Sequence, residues 1–470
     1  MCWDTLAPRQ RSCAAAPVFL TAILGVPPQA IGAIYQHEIV NGEMREIACD
    51  SLADCIERGV SSPGMVLHRT WALEIEEALR RRSARLGALN ASALLARQAQ
   101  VRAVYRSRLR ASLPRAPPEA RLVRRFEDAD RGVAVHQLLF EAWPRHAVPA
   151  VLFVPLGADR AGRPGRALPA VLHLPGHLAA GLRDPAEQRI SLGLAQRGYV
   201  VLSFDPISQG QRRQYSGSSG LECGVRCEAA GECRTFGPPC STAHDHFGKQ
   251  LWLLRSSAAE LFLQDAQRAL DLLAGLPWVD PARIGAVGCS GGGMLTAYLA
   301  ATDARIAAAA TACYFSTLER ELEQGTCNYD AEQILWGQVK LGLDKPDLLV
   351  ARAPMPTMVL LTSHDCFPLA GGREGFDEAA AAFAAHAAAG GDPPLYASEA
   401  AGYHGVTGTG LEALHTFFHE QLGRPARGGA EAAATLPPGL LTAPLPCRQL
   451  WFGAGQLAAG VGGGGAALVG

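Results

Sequence analysis

The chain reads as an α/β protein, a mainly parallel central sheet covered by helices on both faces. Three observations predict this. Short apolar runs at 168–174, 199–204 and 283–287 have the character of strands buried on both faces. Helical stretches alternate with them, at 190–197 with Gly198 as its C-cap, and after Ser257-Ala258-Ala259-Glu260, which fits a capping box. Finally, Gly288-Cys289-Ser290-Gly291-Gly292 stands where one apolar run breaks abruptly into the helical sequence that begins at Gly293.

The elements follow in order. Residues 1–60 show no clear periodicity. From about 65 to 113 Trp71, Leu73, Ile75, Leu79, Leu86, Leu89, Leu94 and Leu95 recur at helical spacing among many arginines. Without interleaved aromatics those arginines read as a solvated helix face rather than a nucleic-acid surface. Strands are expected at 122–126, 133–140, 150–154 and 168–174, then at 199–204, which runs into Asp205. Residues 206–250 form an insertion, a lid contributed to the site. Pro277 and Pro281 bracket the link into the strand leading to Ser290, and further strands fall at 306–312, 356–361 and 395–397. An irregular insertion occupies 317–350, and helices are expected at 376–389 and 411–422. Beyond Arg424 the chain turns Ala-, Gly- and Pro-rich, the composition of a disordered tail. The expected organisation is an N-terminal helical extension (1–115), a catalytic domain (116–424) and the tail (425–470).

Bulk properties exclude some classes. The formal net charge of −1 gives no global field favouring nucleic acid or an anionic membrane, and no apolar run reaches the length of a membrane span. Cys223, Cys227, Cys233 and Cys240 crowd one Gly- and Pro-containing loop. Two readings stand. Disulfides would pin the insertion and require an oxidising compartment, whereas zinc could recruit His244 and His246 as extra ligands. Cys49 and Cys55 form another candidate pair. The clustered cysteines and a weak signal-peptide-like stretch at 14–26 point weakly toward secretion, in which case alone the sequon Asn90-Ala91-Ser92 would matter, and the compartment is left open.

The chemistry centres on Ser290. A G-x-S-x-G between strand and helix is the nucleophile elbow of α/β-hydrolases: the turn lifts the serine Oγ clear of the sheet, beside free N–H groups at a helix N-terminus. A serine hydroxyl needs a base, and the base an orienting acid, in the chain order Ser, Asp or Glu, His. Asp365 follows the 356–361 strand, where open α/β sheets assemble their sites, with Glu319 as the reserve acid. His404 lies in a Gly-flanked loop before the last helix, ahead of His364, His415 and His419 as the base. The oxyanion hole is expected from the N–H of Gly291 and of Gly176, His177 or Leu178. Cys289 reads as a buried filler.

The sequence resembles bacterial-type α/β-hydrolases of the acetyl-xylan-esterase-like group, related to dienelactone-hydrolase-like enzymes, over roughly residues 120–422. The likeness is carried by Leu174-Pro175-Gly176-His177, the run from Phe204 to Arg212, the run from Gly248 to Leu254, and the run from Val279 to Gly285. The elbow itself, the run from Ser363 to Pro368, and Tyr403-His404-Gly405 complete it. The resemblance implies an α/β-hydrolase fold and a serine carboxylic-ester hydrolase without metal or organic cofactor, often acting on acylated carbohydrates. It also supports Asp365 and His404 as partners of Ser290. True dienelactone hydrolases use a cysteine nucleophile, and glucuronoyl esterases place an arginine after the serine where Gly291 stands here. The Cys-rich loop departs from the group's pattern. Two other readings are a serine peptidase of the same fold and a catalytically silent binding module. Acyl and alcohol specificity and the oligomeric state are not encoded legibly.

Overall fold

The computed structural model describes residues 37–40, 43–46, 66–87, 89–112, 114–158, 167–215, 217, 220–227, 233–324, 330–386, 393–423, 445, 447–450 and 466–467. Cys49, Cys55 and the stretch at 14–26 lie outside them.

Ten strands form one sheet. In chain order these are β1 (Ala120–Asp128), β2 (Val133–Trp143), β3 (His146–Pro155), β4 (Leu168–Leu174), β5 (Val200–Phe204), β6 (Val279–Cys289), β7 (Ile306–Ala312), β8 (Thr357–His364), β9 (Leu395–Tyr403) and β10 (Ala466–Ala467). Their spatial order is β9-β8-β7-β6-β4-β5-β3-β2-β1-β10. From β9 through β5 every neighbouring pair is parallel, and from β5 to β10 every pair is antiparallel. The central strand β6 pairs with β4 on one side and β7 on the other, so Gly288 faces Leu174 and Thr311 in register. The chain reverses its winding between β6 and β4, the crevice where sheets of this kind place their ligands.

Alternation along the strands sends successive side chains to opposite faces. Ala170, Leu172, Leu174, Leu202, Ile284 and Ala286 join one buried cluster, while Val171, Val201, Val287 and Cys289 join another. On the first face lie α5 (Ala258–Ala274), α6 (Gly291–Thr302) and the helix α2 (Ala91–Arg108), whose Val101 and Tyr105 are fully buried. On the second lie α3 (Pro185–Gln196) and α10 (Thr409–Leu422). The helices α8 (Pro346–Arg352) and α9 (Leu369–Ala384) enclose a third cluster around Val359 and Leu361.

The N-terminal helices are tied to this body. Asn90 caps α2, its side-chain oxygen accepting the Ala93 N–H at 2.9 Å, so the sequon asparagine has a local structural task. In α1 (Val66–Gly87), Arg82 is buried between Asp347 and Glu378. Ser257 takes the expected cap position of α5 without a side-chain cap bond. The capping box does not close because the Ser256 hydroxyl donates to the Glu260 carboxylate.

In the insertion, a short hairpin (Gly224–Cys227 with Cys233–Phe236) is followed by α4 (Ser241–Trp252). Cys223 and Cys240 are joined as a disulfide. His244 pairs with Asp330, and His246 packs against Tyr215. A short helix α7 (Leu318–Gln324) occupies the 317–350 insertion. Parts of the tail are packed. Leu445 and Leu450 are buried in the second-face cluster, the Leu450 carbonyl accepts from Arg183 Nε at 3.2 Å, and Ala466–Ala467 pairs with β1. The disorder expected of the tail does not extend to these residues, because apolar side chains punctuate an otherwise low-complexity segment.

Candidate active site

Ser290 sits between β6 and α6 with φ +61° and ψ −123°, a region that non-glycine residues rarely adopt and that persists only where surroundings enforce it. Here they do. The Ser290 N–H donates to the Ala312 carbonyl at 2.9 Å, tying the turn to the end of β7. A Cβ on Gly288 would run into the Gly292 backbone, and one on Gly292 would run into the Leu174 carbonyl. Small residues on both sides of the serine are therefore a packing requirement. Gly291 opens α6, and its N–H has no carbonyl one turn earlier in the helix to bond.

Asp365 and His404 meet on the adjacent strands. β8 and β9 run parallel with His364 opposite Tyr403, so the residue after each strand emerges at the same edge. His404 Nδ1 lies 2.7 Å from Asp365 Oδ1. The carboxylate is 2% exposed and its other oxygen accepts the Thr362 hydroxyl at 2.6 Å, while the Phe367 N–H donates to Oδ1 at 3.1 Å. Burial alone would raise the Asp365 pKa. The bond to His404, its charge, the Thr362 hydroxyl and the Phe367 N–H outweigh that and hold it below the usual carboxylate value. Phe367 stacks on the imidazole at 6.0 Å between centroids, and Lys345 Nζ lies 4.6 Å from the Phe367 ring on top of it. Cys313, one residue beyond Ala312, places its sulfur within 4.8 Å of the facing atoms of Asp365 and His404. The Asp–His pair thus stands at the end of β7, whose last carbonyl holds the Ser290 N–H.

The loop after β4 passes over the serine: a Cβ on Gly176 would stand 3.4 Å from Ser290 Cβ. Its N–H groups are not equivalent. The Gly176 N–H donates to Glu187 Oε1 at 2.9 Å, and the Leu178 N–H donates to the Gly176 carbonyl at 2.9 Å. Gly176, expected as an oxyanion donor, is committed to a buried carboxylate instead, and of the three expected donors in this loop the His177 N–H is the one without such an acceptor among the described residues. Gln209 Nε2 donates to the Gly176 carbonyl at 2.5 Å, and Asp205 accepts Arg183 Nη1 at 2.8 Å, so the run from Phe204 to Arg212 braces this loop.

The competing residues fall elsewhere. His364 is exposed and bonds Ser363 at 2.8 Å. His415 is buried under Gly193 of α3, where burial, reinforced by Arg197, pushes its pKa down to about 3. Glu319 lies on α7 among Arg320, Glu323 and Glu374. Cys289 is buried beside Cys313, in keeping with a filler.

A second group of side chains was not legible in the sequence. His177, His244, Asp330 and Glu332 come from the β4 loop, α4 and the turn at 330–333, and their facing atoms all lie within 4.8 Å of one another. Burial would lower both imidazole pKa values, but the two carboxylates outweigh it, raising His177 and pushing His244 up to about 9. The group adjoins the elbow: a Cβ on Gly291 would fall 2.5 Å from Glu332 Oε1 and 2.7 Å from His177 Nε2. No periodicity links its members, and the one faint signal is the closely spaced acidic pair Asp330 and Glu332. Further out, a cavity of about 380 Å³ opens between the β2–β3 turn and the insertion, lined by Trp143, His146, Arg212, Tyr215 and Leu254 among others. Ser290, Asp365 and His404 do not line it.

Residues 111–333 match the family model described as Acetyl xylan esterase (AXE1). No curated protein matches the sequence significantly. Among solved structures, Methylesterase BT1017 superposes with a TM-score of 0.54 at 18% identity, covering 82% of this chain and 76% of its own. BF1801 from Bacteroides fragilis NCTC 9343, assigned as an acetyl xylan esterase, gives 0.50 at 14% identity, covering 70% and 82%. A glucuronoyl esterase from Solibacter usitatus gives 0.49 at 15% identity, covering 69% and 92%.

Proposed function

We propose that this chain, which matches the acetyl xylan esterase family model over residues 111–333 and has the α/β-hydrolase fold, cleaves acetyl esters of carbohydrates through Ser290, His404 and Asp365. The observation that carries this reading is the Asp365–His404 contact at 2.7 Å, at the sheet edge where only β7 separates β8 from the strand leading to a serine in the strained elbow conformation.

Asp365 accepts the Nδ1 proton of His404, which leaves Nε2 as the basic nitrogen. His404 takes the Ser290 hydroxyl proton as Oγ attacks the ester carbonyl, and the carbonyl π electrons move onto oxygen. The N–H groups of Gly291 and His177 receive that oxyanion. Its collapse expels the sugar alkoxide, which His404 protonates, leaving an acyl-serine. Water then attacks with His404 again as base, releasing acetate and restoring Ser290. The buried Asp365 stays ionised throughout, since its hydrogen bonds favour the charged form.

The test is turnover of acetylated xylan fragments and short aryl acetates by purified wild-type protein and Ser290→Ala. Loss of turnover in the variant, with labelling of the wild type by a fluorophosphonate, supports the reading. Wild-type turnover in Ser290→Ala rules it out. Faster cleavage of sugar methyl esters or peptide anilides than of acetates would overturn the substrate class while keeping the mechanism.

A further inference from the structure

The quartet beside the elbow is arranged as ligands are. His177 Nε2 stands 2.6 Å from Glu332 Oε1 and 3.2 Å from Asp330 Oδ2, and His244 Nδ1 stands 3.0 Å from Asp330 Oδ2 and 3.6 Å from Glu332 Oε2. Four donors around a tetrahedral ion with bonds of about 2.0–2.2 Å lie about 3.4 Å apart; both contacts to Asp330 Oδ2 come near this, as does that of His244 to Glu332 through Oε2, while His177 Nε2 and Glu332 Oε1 stand closer.

Two details go beyond proximity. First, His244 Nε2 lies 2.9 Å from the Ile207 carbonyl. A carbonyl only accepts, so Nε2 carries a proton in either charge state, and an ion that displaces the second proton meets the Nδ1 lone pair facing the carboxylates. This is how metal-binding imidazoles are fixed, by a bond from the second nitrogen. Second, Glu332 is 1% exposed, yet its Oε1 has no hydrogen-bond partner, and neither has His177 Nε2, although the two are 2.6 Å apart. They approach off the axis that an N–H donor would need. A buried carboxylate oxygen without a donor is costly, and a cation placed between the four atoms satisfies it together with both imidazoles.

We propose that His177, His244, Asp330 and Glu332 bind one divalent transition-metal ion, with zinc the best match to two imidazoles and two carboxylates. The ion ties three separate segments together: the β4 loop, helix α4 of the insertion, and the turn at 330–333. It thereby fixes the loop bearing His177 next to Gly291. In the esterase reading, on which this role but not the binding itself rests, its charge also favours negative charge on the neighbouring oxyanion.

The test uses the full chain, stripped with a chelator and then titrated with Zn²⁺ and separately with Co²⁺. The expected results are stoichiometric zinc by elemental analysis, visible bands of tetrahedral Co²⁺, and a melting temperature raised by zinc. His244→Gln and Glu332→Gln are expected to lose the Co²⁺ bands while keeping wild-type circular dichroism. Ser290→Ala is expected to keep them, which separates failure of this site from failure of the esterase reading. Absence of Co²⁺ bands and of any melting shift in the wild type would overturn the proposal and leave two protonated histidines paired with two carboxylates. Undiminished bands in a folded Glu332→Gln variant would overturn the ligand set.

Discussion

His404 Nδ1 rests 2.7 Å from Asp365 Oδ1, although the two residues follow different strands. The contact exists because β8 and β9 are parallel, so their C-terminal ends open onto the same edge. Asp365 cannot follow a displaced imidazole, being held by Thr362 and Phe367. Asp365→Asn is therefore expected to lower kcat by about 10³–10⁴-fold with a smaller effect on KM, because an amide can hold the wrong tautomer. Steady-state kinetics checks this, and a loss under tenfold would remove Asp365 as the orienting group.

The Cys223–Cys240 disulfide spans 17 residues of the insertion. Closing a loop of that length in the unfolded chain is worth about 3 kcal/mol. The double variant Cys223→Ser, Cys240→Ser is expected to melt at a lower temperature and to be cut by trypsin first within 206–240. Unchanged melting and an unchanged cleavage map would show that the bridge constrains nothing.

His415 gives the fold an acid sensitivity. Its folded pKa of about 3 lies below the value of about 6.5 expected when unfolded. Between the two, the unfolded chain holds a proton that the native state does not, so stability falls as pH drops through 6.5 toward 3. The slope from this one group approaches about 1.4 kcal/mol per pH unit. His415→Leu is expected to flatten the dependence by that amount, read from urea melts between about pH 4 and about 7. A variant with the wild-type slope would place the acid sensitivity elsewhere.

The fold was largely legible because a buried parallel sheet writes itself as short apolar runs. The runs at 168–174 and 306–312 match β4 and β7, while β6 begins four residues before the apolar core at 283–287. Boundaries slipped where polar residues continue a strand: β9 extends to Tyr403, well past 397, since its outer face alternates toward solvent. Ser290, Asp365 and His404 became candidates because this fold fixes the order of such residues along the chain, and the Asp365–His404 contact agrees with that order. The commitment of the Gly176 N–H could not, because it depends on Glu187 arriving from α3, and the His–carboxylate quartet could not, because loops carry its members. The disulfide partner of Cys223 is likewise a matter of geometry that four crowded cysteines leave undetermined.

The packed residues near the C-terminus have a practical consequence. Arg183 is fully buried, sharing its guanidinium between Asp205 and the Leu450 carbonyl, and Gln188 holds residue 445 through both its carbonyl and its N–H. Trimming the gene after codon 424, a natural choice for anyone discarding a low-complexity end, would uncover the greasy groove that Leu445 and Leu450 fill. A shortened product that clumps during purification would then be reporting a missing plug, not a badly chosen host.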